Sequence, residues 1–453
     1  MLQIGSAARG SAFVSSTPGQ PLKVTMPASA SQPARLAFLV RDLGLGGVGR
    51  STLRLARHFL DRGIAVDIVL EKDKGPLRTL VPEGVGVTVL ETSKQHWRTK
   101  LMILRADPGG LPYFYHTAFH PKRPMGSYPR LPSLVRYLRE ARPDALISAL
   151  TYQNLLAIAA ARAAGTGTKV LVSERTTVND LTKHPVSKKK ERVLPLLVRR
   201  QYLMADAIIA VSDGVANHLA RQVNLPRERI ATVYNPVVGP DLFASAAAPV
   251  DHPWFQPGQP PVVLGVGRLQ EQKDYPTLIR AFARLRALRP ARLVILGQGP
   301  KPGRTEAAQA ELRELASSLG VVDDLDVPGY ADNPYAYMAQ ADLFVLSSAW
   351  EGFGNALAEA LACGCPVVAT DCPSGPAEIL DGGRYGPLAP VGDDVALAKA
   401  MAHVLDAPPD RDFLRRRGSI FTVERAADAY LQALFGNAAW GTTSAGKSSL
   451  KIQ

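Results

Sequence analysis

Short runs of β-branched and aliphatic residues alternate with helix-length segments along most of this chain. Such alternation favours parallel strands, because each parallel strand needs a crossover, usually a helix, before the next strand can start. The runs that predict strands are 36–40, 64–70, 85–90, 144–150, 169–173, 206–212, 262–267, 292–297, 342–347 and 366–370. The predicted fold class is α/β, with two doubly wound, Rossmann-like parallel-sheet domains that face a cleft.

A chain of 453 residues is long enough for two such domains, each with its own core. Composition and pattern divide the chain into a disordered leader (1–34), an N-terminal domain (35–244), a linker rich in Ala and Pro (245–261), a C-terminal domain (262–410), C-terminal helices that can cross back to the N-terminal domain (411–436) and a disordered tail (437–453). No apolar run approaches the roughly 20 residues that span a bilayer.

The chain has three cysteines, Cys363, Cys365 and Cys372. This small, odd number argues against a disulfide framework and favours a reducing compartment, so we expect a cytoplasmic protein. The Cys-x-Cys spacing allows a metal site, but no fourth ligand is near in the sequence. Buried thiols are the better interpretation.

Charge is divided unevenly along the chain. Residues 1–240 hold 34 Lys and Arg against 16 Asp and Glu, a net charge of +18, whereas residues 241–453 hold 19 against 24, a net charge of −5. A basic half is attracted to anionic surfaces, which include a membrane face, nucleic acid and a phosphorylated acceptor. A merely basic, solvated face is the simpler alternative.

Ligands of doubly wound sheets bind at the loops that follow strands. The first such loop, 44–50, is rich in glycine, and Gly46 and Gly47 let the backbone approach a phosphate closely. The loop also matches Gly-x-Gly-x-x-Gly, and Glu71 ends the next strand where a ribose-binding acid would lie. A dinucleotide-dependent oxidoreductase that uses residues 44–49 is therefore one alternative function.

A second loop follows the first strand of the C-terminal half and carries Arg268 and Lys273. Arg268 offers a planar fork of donors and Lys273 a point charge, so together they could neutralise a diphosphate. Basic residues in a loop are often only solvated. Here their position at a strand end, after two glycines, favours a ligand.

A third loop follows strand 342–347 and carries two acids, Glu351 and Glu359. Glu351 precedes a predicted helix, and Glu359 lies about one turn inside it among Ala and Leu residues that indicate burial. Gly352 and Gly354 permit close approach of the backbone, and the helix start offers unpaired N–H groups to a phosphate. This segment can therefore bind an anion on its amides and hydroxyl groups on its carboxylates.

These three loops, in this order, resemble glycosyltransferase family 4, a family of retaining enzymes with the GT-B fold. The resemblance covers most of residues 35–435, and its marks are Gly46-Gly47-Val48-Gly49-Arg50, Gly267-Arg268-Leu269 with Lys273-Asp274, Glu351-Gly352-Phe353-Gly354 with Glu359, and Asp371-Cys372-Pro373-Ser374-Gly375-Pro376-Ala377-Glu378-Ile379. It implies an N-terminal domain on the acceptor side and a C-terminal domain that binds a nucleotide-sugar.

The resemblance also implies a role for each residue that matches a family motif. Arg268 and Lys273 would hold the donor pyrophosphate, Glu359 the ribose hydroxyls and Glu351 the transferred sugar, with the amides of Gly352, Phe353, Gly354 and Asn355 near that sugar and the phosphates, and with Gly46 and Gly47 near the β-phosphate across the cleft. The implied catalytic residues are Glu351, Arg268 and Lys273. The family works without a bound metal, so the resemblance implies no metal or other cofactor, which fits two cations that can stabilise the charge of the leaving diphosphate.

The chain departs from the family at one point. Many members carry a histidine at the end of an N-domain strand, near the sugar, and the matching region 147–154 has none. Ser148, Thr151 or Asn154 could replace it as hydrogen-bond donors. Ser173-Glu174-Arg175, after the following strand, is either another cleft-facing group or a local ion pair.

The segment 187–200 places cations on both sides of an apolar stretch, as in a helix that lies on an anionic membrane. The alternative is a surface helix whose apolar face packs on its own domain, and Pro195 would kink any helix that runs through it. Together with 97–100 and Lys122-Arg123, this segment predicts weak contact with the inner face of the cytoplasmic membrane.

The expected function is transfer of a hexose or N-acetylhexosamine from a nucleotide-sugar to a glycan or lipid-linked glycan, in the synthesis of cell-surface polysaccharide or lipopolysaccharide. A UDP-sugar is favoured, because the Ser-Glu-Arg and Cys-Pro-Ser-Gly-Pro-Ala-Glu segments resemble those of members that use UDP-hexoses or UDP-N-acetylhexosamines. A basic nucleic-acid-binding protein is the other alternative. However, the basic half shows no nucleic-acid motif or interleaved aromatic platform, so nucleic acid is not an expected partner.

Overall fold

The structure, a computed structural model, describes residues 35–117, 127–176, 188–299 and 303–436. Its helices are, in chain order, α1 (Gly47–Asp61), α2 (His96–Ala106), α3 (Leu111–Thr117), α4 (Leu131–Ala141), α5 (Thr151–Ala164), α6 (Lys188–Tyr202), α7 (Asp213–Val223), α8 (Pro240–Ala246), α9 (Tyr275–Arg286), α10 (Thr305–Ser318), α11 (Pro334–Gln340), α12 (Asn355–Cys363), α13 (Pro376–Ile379), α14 (Asp394–Asp406), α15 (Arg411–Gly418) and α16 (Val423–Phe435). Among the described residues, no helix combines the length and the apolar composition that crossing a bilayer requires.

Two parallel sheets form the framework. The first has the order β3-β2-β1-β4-β5-β6-β7, with β1 (Arg35–Val40), β2 (Ala65–Leu70), β3 (Gly86–Val89), β4 (Ala145–Ala149), β5 (Lys169–Glu174), β6 (Ala207–Ala210) and β7 (Ile230–Thr232). The second has the order β10-β9-β8-β11-β12-β13, with β8 (Val262–Val266), β9 (Arg292–Leu296), β10 (Leu325–Gly329), β11 (Leu343–Leu346), β12 (Val367–Thr370) and β13 (Leu388–Ala389). The predicted α/β fold class, with two doubly wound parallel-sheet domains, is confirmed.

The ten predicted strands are all present, and their ends lie within two residues of the prediction. The three strands that the pattern did not predict, β7, β10 and β13, are all at sheet edges. Edge strands bury fewer side chains than central strands, so their sequences lack a long apolar run. By contrast, every residue of the central strand β4 is buried.

The last helix, α16, returns to the first sheet, whereas α15 packs on α12. Helix α16 packs against α1, β5 and β6, and its Tyr430 is 1% exposed among the residues of the N-terminal core. Burial of one large apolar side chain contributes roughly 2 kcal/mol, so this docking stabilises the pairing of the two halves. The Val423 amide donates to the Val238 carbonyl at 3.0 Å, which ties the start of α16 to the segment between the sheets.

Candidate active site at the domain cleft

Two helix N-termini meet where the domains face each other. Gly47 is the first residue of α1 and Asn355 is the first residue of α12. A Cβ atom on Gly47 would lie 2.9 Å from Asn355 Nδ2, and the Asn235 amide donates to Asn355 Oδ1 at 2.8 Å. Gly46, just before α1, faces open space. Because helix starts carry unpaired N–H groups and partial positive charge, this convergence favours an anion.

Lys273 and Glu351 form an ion pair at the ends of β8 and β11. Lys273 Nζ lies 2.5 Å from Glu351 Oε1, and the Ser348 hydroxyl donates to the same oxygen at 2.8 Å. Only 15% of the lysine side chain and 9% of the glutamate side chain are exposed. Removing either partner would leave the other as a buried charge without a counterion, which would destabilise the fold.

Backbone contacts keep the two loops of this pair together. The Ala349 amide donates to the Gln272 carbonyl at 2.9 Å, and the Ser347 hydroxyl donates to the Lys273 carbonyl at 2.7 Å. The loop after β8 is therefore fixed to the loop after β11 beside the charged groups. Because the backbone of this loop is fixed before a ligand arrives, Lys273 loses less conformational freedom on binding than a lysine on a mobile loop would.

Arg268 lies at the carboxyl end of β8 and is exposed. No hydrogen bond or ion pair of its guanidinium occurs within the described ranges 35–117, 127–176, 188–299 and 303–436. Gly267 separates it from the strand, and a Cβ atom on that glycine would lie 2.8 Å from Lys273 Cε. The Lys273 side chain thus packs against the residue that precedes Arg268, with Lys273 engaged in its ion pair and Arg268 available.

The loop of Gly352, Phe353 and Gly354 is wedged between the domains. A Cβ atom on Gly352 would lie 2.0 Å from the Arg175 carbonyl oxygen, so only glycine fits there. Gly354 has a φ of 103°, in the region that favours glycine. Phe353 stacks on Tyr234 with ring centroids 5.4 Å apart. The site thus depends on contact between both halves of the chain.

Glu359 is buried on α12 and faces the opposite domain. Arg54 Nη2 lies 3.5 Å from Glu359 Oε1, and the Tyr335 hydroxyl donates to the same oxygen at 3.3 Å. Burial raises the pKa of the Glu359 carboxyl, and the positive charges of Arg54 and Arg50 oppose that rise. The prediction that helix α12 is largely buried is confirmed.

The residues considered as substitutes for a histidine belong to a buried network. The Thr151 hydroxyl donates to Glu174 Oε1 at 2.8 Å, and Tyr202 donates to the same oxygen. The Ser148 hydroxyl donates to Asn154 Oδ1 at 2.8 Å, and the Asn154 amide lies 3.4 Å from the Glu174 carboxylate. Burial raises the pKa of Glu174 to about 7. These donors are therefore engaged inside the N-terminal domain.

Glu174 and Arg175 do not form the local ion pair that was one alternative. Arg175 donates instead to Asn235 Oδ1 at 3.1 Å and to the Tyr430 hydroxyl at 2.9 Å. The arginine thus links the end of β5 to α16 and, through Asn235, to the start of α12.

Glu71 is also satisfied within its own domain. It is 5% exposed, the Gln153 amide donates to its Oε1 at 3.0 Å, and Arg130 lies 4.0 Å from its Oε2. A ribose-binding acid must offer its carboxylate to a ligand in the cleft, and this one is enclosed. The geometry therefore disfavours the dinucleotide-dependent alternative.

The cysteines are buried free thiols. Burial raises the pKa of both Cys363 and Cys372 to about 12, so neither is a thiolate near neutral pH. In the part of the chain that the structure describes, no group of three or more His, Cys, Asp or Glu residues is placed to hold a metal ion.

The apolar face of the basic helix α6 packs on its own domain. Leu197 and Val198 are 0% exposed, and the helix contacts α3 and α5. Of the two alternatives for this segment, packing on its own domain therefore holds for the apolar residues described. Pro195 lies inside the helix, and Lys122-Arg123 lies outside the described residues.

Two family models match the chain. The model described as Glycosyltransferase Family 4 matches residues 45–238, and the model described as Glycosyl transferases group 1 matches residues 260–407. Together they cover about three quarters of the chain. Their ranges include the cleft residues described above, from Gly46 to Glu359. The chain belongs to glycosyltransferase family 4. It is a transferase of glycosyl groups, in enzyme class 2.4.

This glycosyltransferase is 28% identical over 372 residues to a Campylobacter jejuni protein named N-acetylgalactosamine-N,N'-diacetylbacillosaminyl-diphospho-undecaprenol 4-alpha-N-acetylgalactosaminyltransferase, a match that covers 82% of this chain and 90% of the relative. It is 34% identical over 183 residues to the lipopolysaccharide core biosynthesis glycosyltransferase LpsE of Rhizobium meliloti, which covers 39% of this chain and 51% of LpsE. The solved structure of Anabaena Alr3699/HepE in complex with UDP-glucose matches with a TM-score of 0.64 and 20% identity, over 88% of this chain and 99% of that one. The shared fold is GT-B.

Four residues of the glycosyltransferase cleft were missed by sequence reasoning: Arg54, Tyr335, Asn235 and Ser348. Arg54 lies one helical turn after Arg50, so a second cation on the same face of α1 was a signal that could have been used. Tyr335, Asn235 and Ser348 carry no such signal. Their partners are distant in sequence or lie in a loop whose conformation the sequence pattern does not predict. The motif glutamate Glu378 also gains a definite contact, since its carboxylate accepts from the Asp213 and Gly214 amides at 2.7 Å each.

Proposed function

We propose that this glycosyltransferase moves a hexose or N-acetylhexosamine from a UDP-sugar to a glycan or lipid-linked glycan acceptor. The observation that carries the proposal is the meeting of two helix N-termini at Gly47 and Asn355, one from each domain, beside Lys273 and Arg268. A diphosphate between the domains would meet N–H groups from both sides and two cations from one side. A nucleotide-sugar presents such a diphosphate together with the hydroxyls that an acid can bind.

The relatives support the substrate classes. The Campylobacter jejuni relative is named for transfer of N-acetylgalactosamine to a sugar linked to diphospho-undecaprenol, and LpsE is named for lipopolysaccharide core biosynthesis. The Anabaena HepE structure contains UDP-glucose. We therefore place this enzyme in the synthesis of cell-surface polysaccharide or lipopolysaccharide, on the cytoplasmic side of the membrane, with nucleic acid as no partner.

In the proposed reaction, the bond between the anomeric carbon and the β-phosphate oxygen breaks, and the electron pair stays with the nucleoside diphosphate. Arg268, Lys273 and the amides of Gly47 and Asn355 stabilise that growing negative charge, which is larger in the transition state than in the ground state. The oxygen of the acceptor hydroxyl forms the new bond to the anomeric carbon with retention of configuration, and the hydroxyl proton passes to the released diphosphate. Glu351, held by Lys273, orients the transferred sugar, and Glu359 binds the ribose.

We also propose that these cations work without a bound metal ion. Arg268 and Lys273 supply the charge neutralisation that a divalent cation supplies in other transferases. Turnover in excess chelator should equal turnover without it. A loss of activity in chelator that added Mg²⁺ or Mn²⁺ restores would reject this part of the proposal.

Calorimetry with a panel of nucleoside diphosphates tests the donor. UDP should bind, and Glu359→Ala should weaken UDP binding by roughly ten- to a hundredfold, since hydrogen bonds to a charged group contribute about 1.5–3 kcal/mol. Glu424→Ala, on the exposed first turn of α16, is the matched control and should bind UDP normally. Preferential binding of GDP would correct the base, and no binding of any nucleoside diphosphate would reject the function.

Weak contact with an anionic membrane is the remaining part of the proposal. The N-terminal domain exposes Trp97 and Leu101 on α2, Leu111 on α3, and Leu196 and Leu203 on or just after α6. Helix α3 packs against α6 and against the turn 108–110, which packs against α2, so these side chains lie on neighbouring elements. Apolar residues beside cations favour binding at an anionic interface.

Flotation with liposomes that contain anionic lipid, at low and high salt, tests this contact. The protein should float at low salt and float less at high salt, because the attraction is partly electrostatic. Trp97→Ser combined with Leu101→Ser should reduce flotation, whereas Leu288→Ser, a more exposed leucine of the other domain, should not. Absence of flotation at low salt would remove the membrane from the proposal.

A further inference from the structure

Arg54 crosses the cleft from the N-terminal domain. It lies on α1, and its Nη2 donates to the Tyr335 hydroxyl of α11 at 2.7 Å and lies 3.5 Å from Glu359 Oε1 of α12. Its Nη1 donates to the Pro236 carbonyl at 3.2 Å, and only 13% of the side chain is exposed. The guanidinium is therefore fixed in place by three groups outside its own helix.

The contacts divide the two oxygens of the Glu359 carboxylate. Both Arg54 and Tyr335 address Oε1, and no protein donor to Oε2 occurs among the described residues. One oxygen is thus held by the protein, while the other remains for a ligand. A carboxylate that is fixed through one oxygen presents the second at a defined position, which suits a pair of vicinal hydroxyls.

The charge of Glu359 depends on this arginine. Burial raises the pKa of the carboxyl, and Arg54 is the largest opposing influence. The titratable and charged groups around it are Arg50 and Arg54 of α1, Tyr335 of α11, Asp241 of α8, Cys363 of its own helix and Arg415 of α15. Of these, Arg54 is the cation that touches the carboxylate, whereas Arg50 is bonded to Tyr330 at 3.3 Å.

We propose that Arg54 is a positioning residue that completes the ribose site from the opposite domain, by keeping Glu359 ionised and by fixing which of its oxygens faces the ribose. This inference rests on the proposed function, in which Glu359 binds the ribose hydroxyls of the donor. An ionised carboxylate accepts hydroxyl hydrogen bonds more strongly than a neutral carboxyl does. The nucleotide site of the C-terminal domain is therefore incomplete without helix α1.

Calorimetric UDP binding to the full chain, from about pH 8 down to about pH 6, tests the inference. Arg54→Met should weaken binding by about tenfold at pH 8, and the ratio of the variant to the wild-type dissociation constant should increase as the pH falls. The increase follows because loss of the cation raises the pKa of Glu359 further, so more of the carboxyl is protonated at low pH. Using the ratio cancels the titration of UDP itself.

Four further proteins make the result specific. Arg54→Lys should recover most of the affinity, since it restores the charge. In a Glu359→Gln background, adding Arg54→Met should give a ratio that does not vary with pH, because no carboxyl remains to titrate. Arg57→Met, on the exposed side of the same helix, is the matched control and should bind like the wild type. Thermal unfolding of each variant verifies that the fold is intact.

The outcomes separate this inference from the function on which it rests. If the wild type binds UDP, Glu359→Ala binds it weakly and Arg54→Met binds within twofold of the wild type, the inference is wrong and the function stands. A loss in Arg54→Met that is the same at every pH would overturn the claim that the arginine keeps Glu359 ionised. If the wild type binds no nucleoside diphosphate, the proposed function itself is wrong.

Discussion

The two sheets place acids at the carboxyl ends of their strands, but the two domains use these acids differently. In the N-terminal domain, Glu71 and Glu174 are enclosed by donors of that same domain. In the C-terminal domain, Glu351 meets a lysine at the cleft, and Glu359 meets an arginine that comes from the other domain. The position of an acid relative to the sheet is therefore not enough to mark it as a candidate for catalysis or binding. The position of the groups that contact it decides.

The largest expected effect lies on the C-terminal side of this comparison. Lys273→Ala should lower kcat by about a hundred- to a thousandfold, because it removes a positioned cation from the leaving diphosphate. It also leaves Glu351 buried without its partner, so the protein should unfold at a lower temperature. Steady-state kinetics with a UDP-sugar and thermal unfolding measure the two effects.

Lys399→Ala is the control for Lys273→Ala, since this lysine lies on α14, away from the cleft loops. Turnover near the wild-type level in the Lys273 variant would refute the role assigned to this lysine. The Lys273–Glu351 pair would then only support the fold, as the enclosed acids of the N-terminal domain do.

An intermediate effect is expected on the N-terminal side, and it concerns stability. The native pKa of Glu174, about 7, lies above the ordinary value of 4.5 for a glutamate, so the folded protein retains a proton that the unfolded chain releases between these pH values. The stability from this group is fully present below about pH 4.5 and is lost as the pH rises through about 7. The shift corresponds to a change in the free energy of unfolding on the order of 3 kcal/mol.

Glu174→Gln removes this titration and isolates it. The stability of the wild type relative to the variant should fall as the pH rises from about 5 to about 8, in denaturant unfolding at each pH. UDP binding by the variant should be unchanged, because Glu174 is enclosed in its own domain. A variant that folds normally but loses UDP binding would place Glu174 in the functional site and would break the comparison.

The smallest expected effect tests the contact between the two helix starts. A Cβ on Gly47 would require the Asn355 amide to move and would weaken its bond to Asn235. Gly47→Ala should therefore weaken UDP binding by roughly fivefold, equivalent to about 1 kcal/mol. Arg57→Ala, on the exposed side of α1, is the control and should change affinity little. Equal behaviour of the two variants would contradict a phosphate site between the helix starts.

Sequence reasoning found the acids and cations of the C-terminal domain because each lies in a short motif after a strand. Lys273 and Glu351 were each visible in this way, and the structure brings them into direct contact. Arg54 was not found, because its partner Glu359 lies about three hundred residues away, and the local signal, a second cation one turn after Arg50, does not identify that partner. Reasoning from the residues alone left both Glu71 and Glu359 as candidates for the ribose, since Glu71 ends a strand and Glu359 lies in the helix that follows one; the structure shows that Glu71 is enclosed by its own domain.

The sequence by itself determined the strands, the helices and the loops where ligands bind, because local hydrophobic patterns and glycines act over a few residues. The sequence pattern did not predict the edge strands β7, β10 and β13, since their stability comes from pairing with a neighbouring strand and not from an apolar pattern of their own. Only the tertiary structure decided which polar groups are hydrogen-bonded or ion-paired within one domain and which face the cleft. Ion pairs and hydrogen bonds depend on distances of a few ångströms between residues that are far apart in the chain, and such distances exist only after both domains have folded and met.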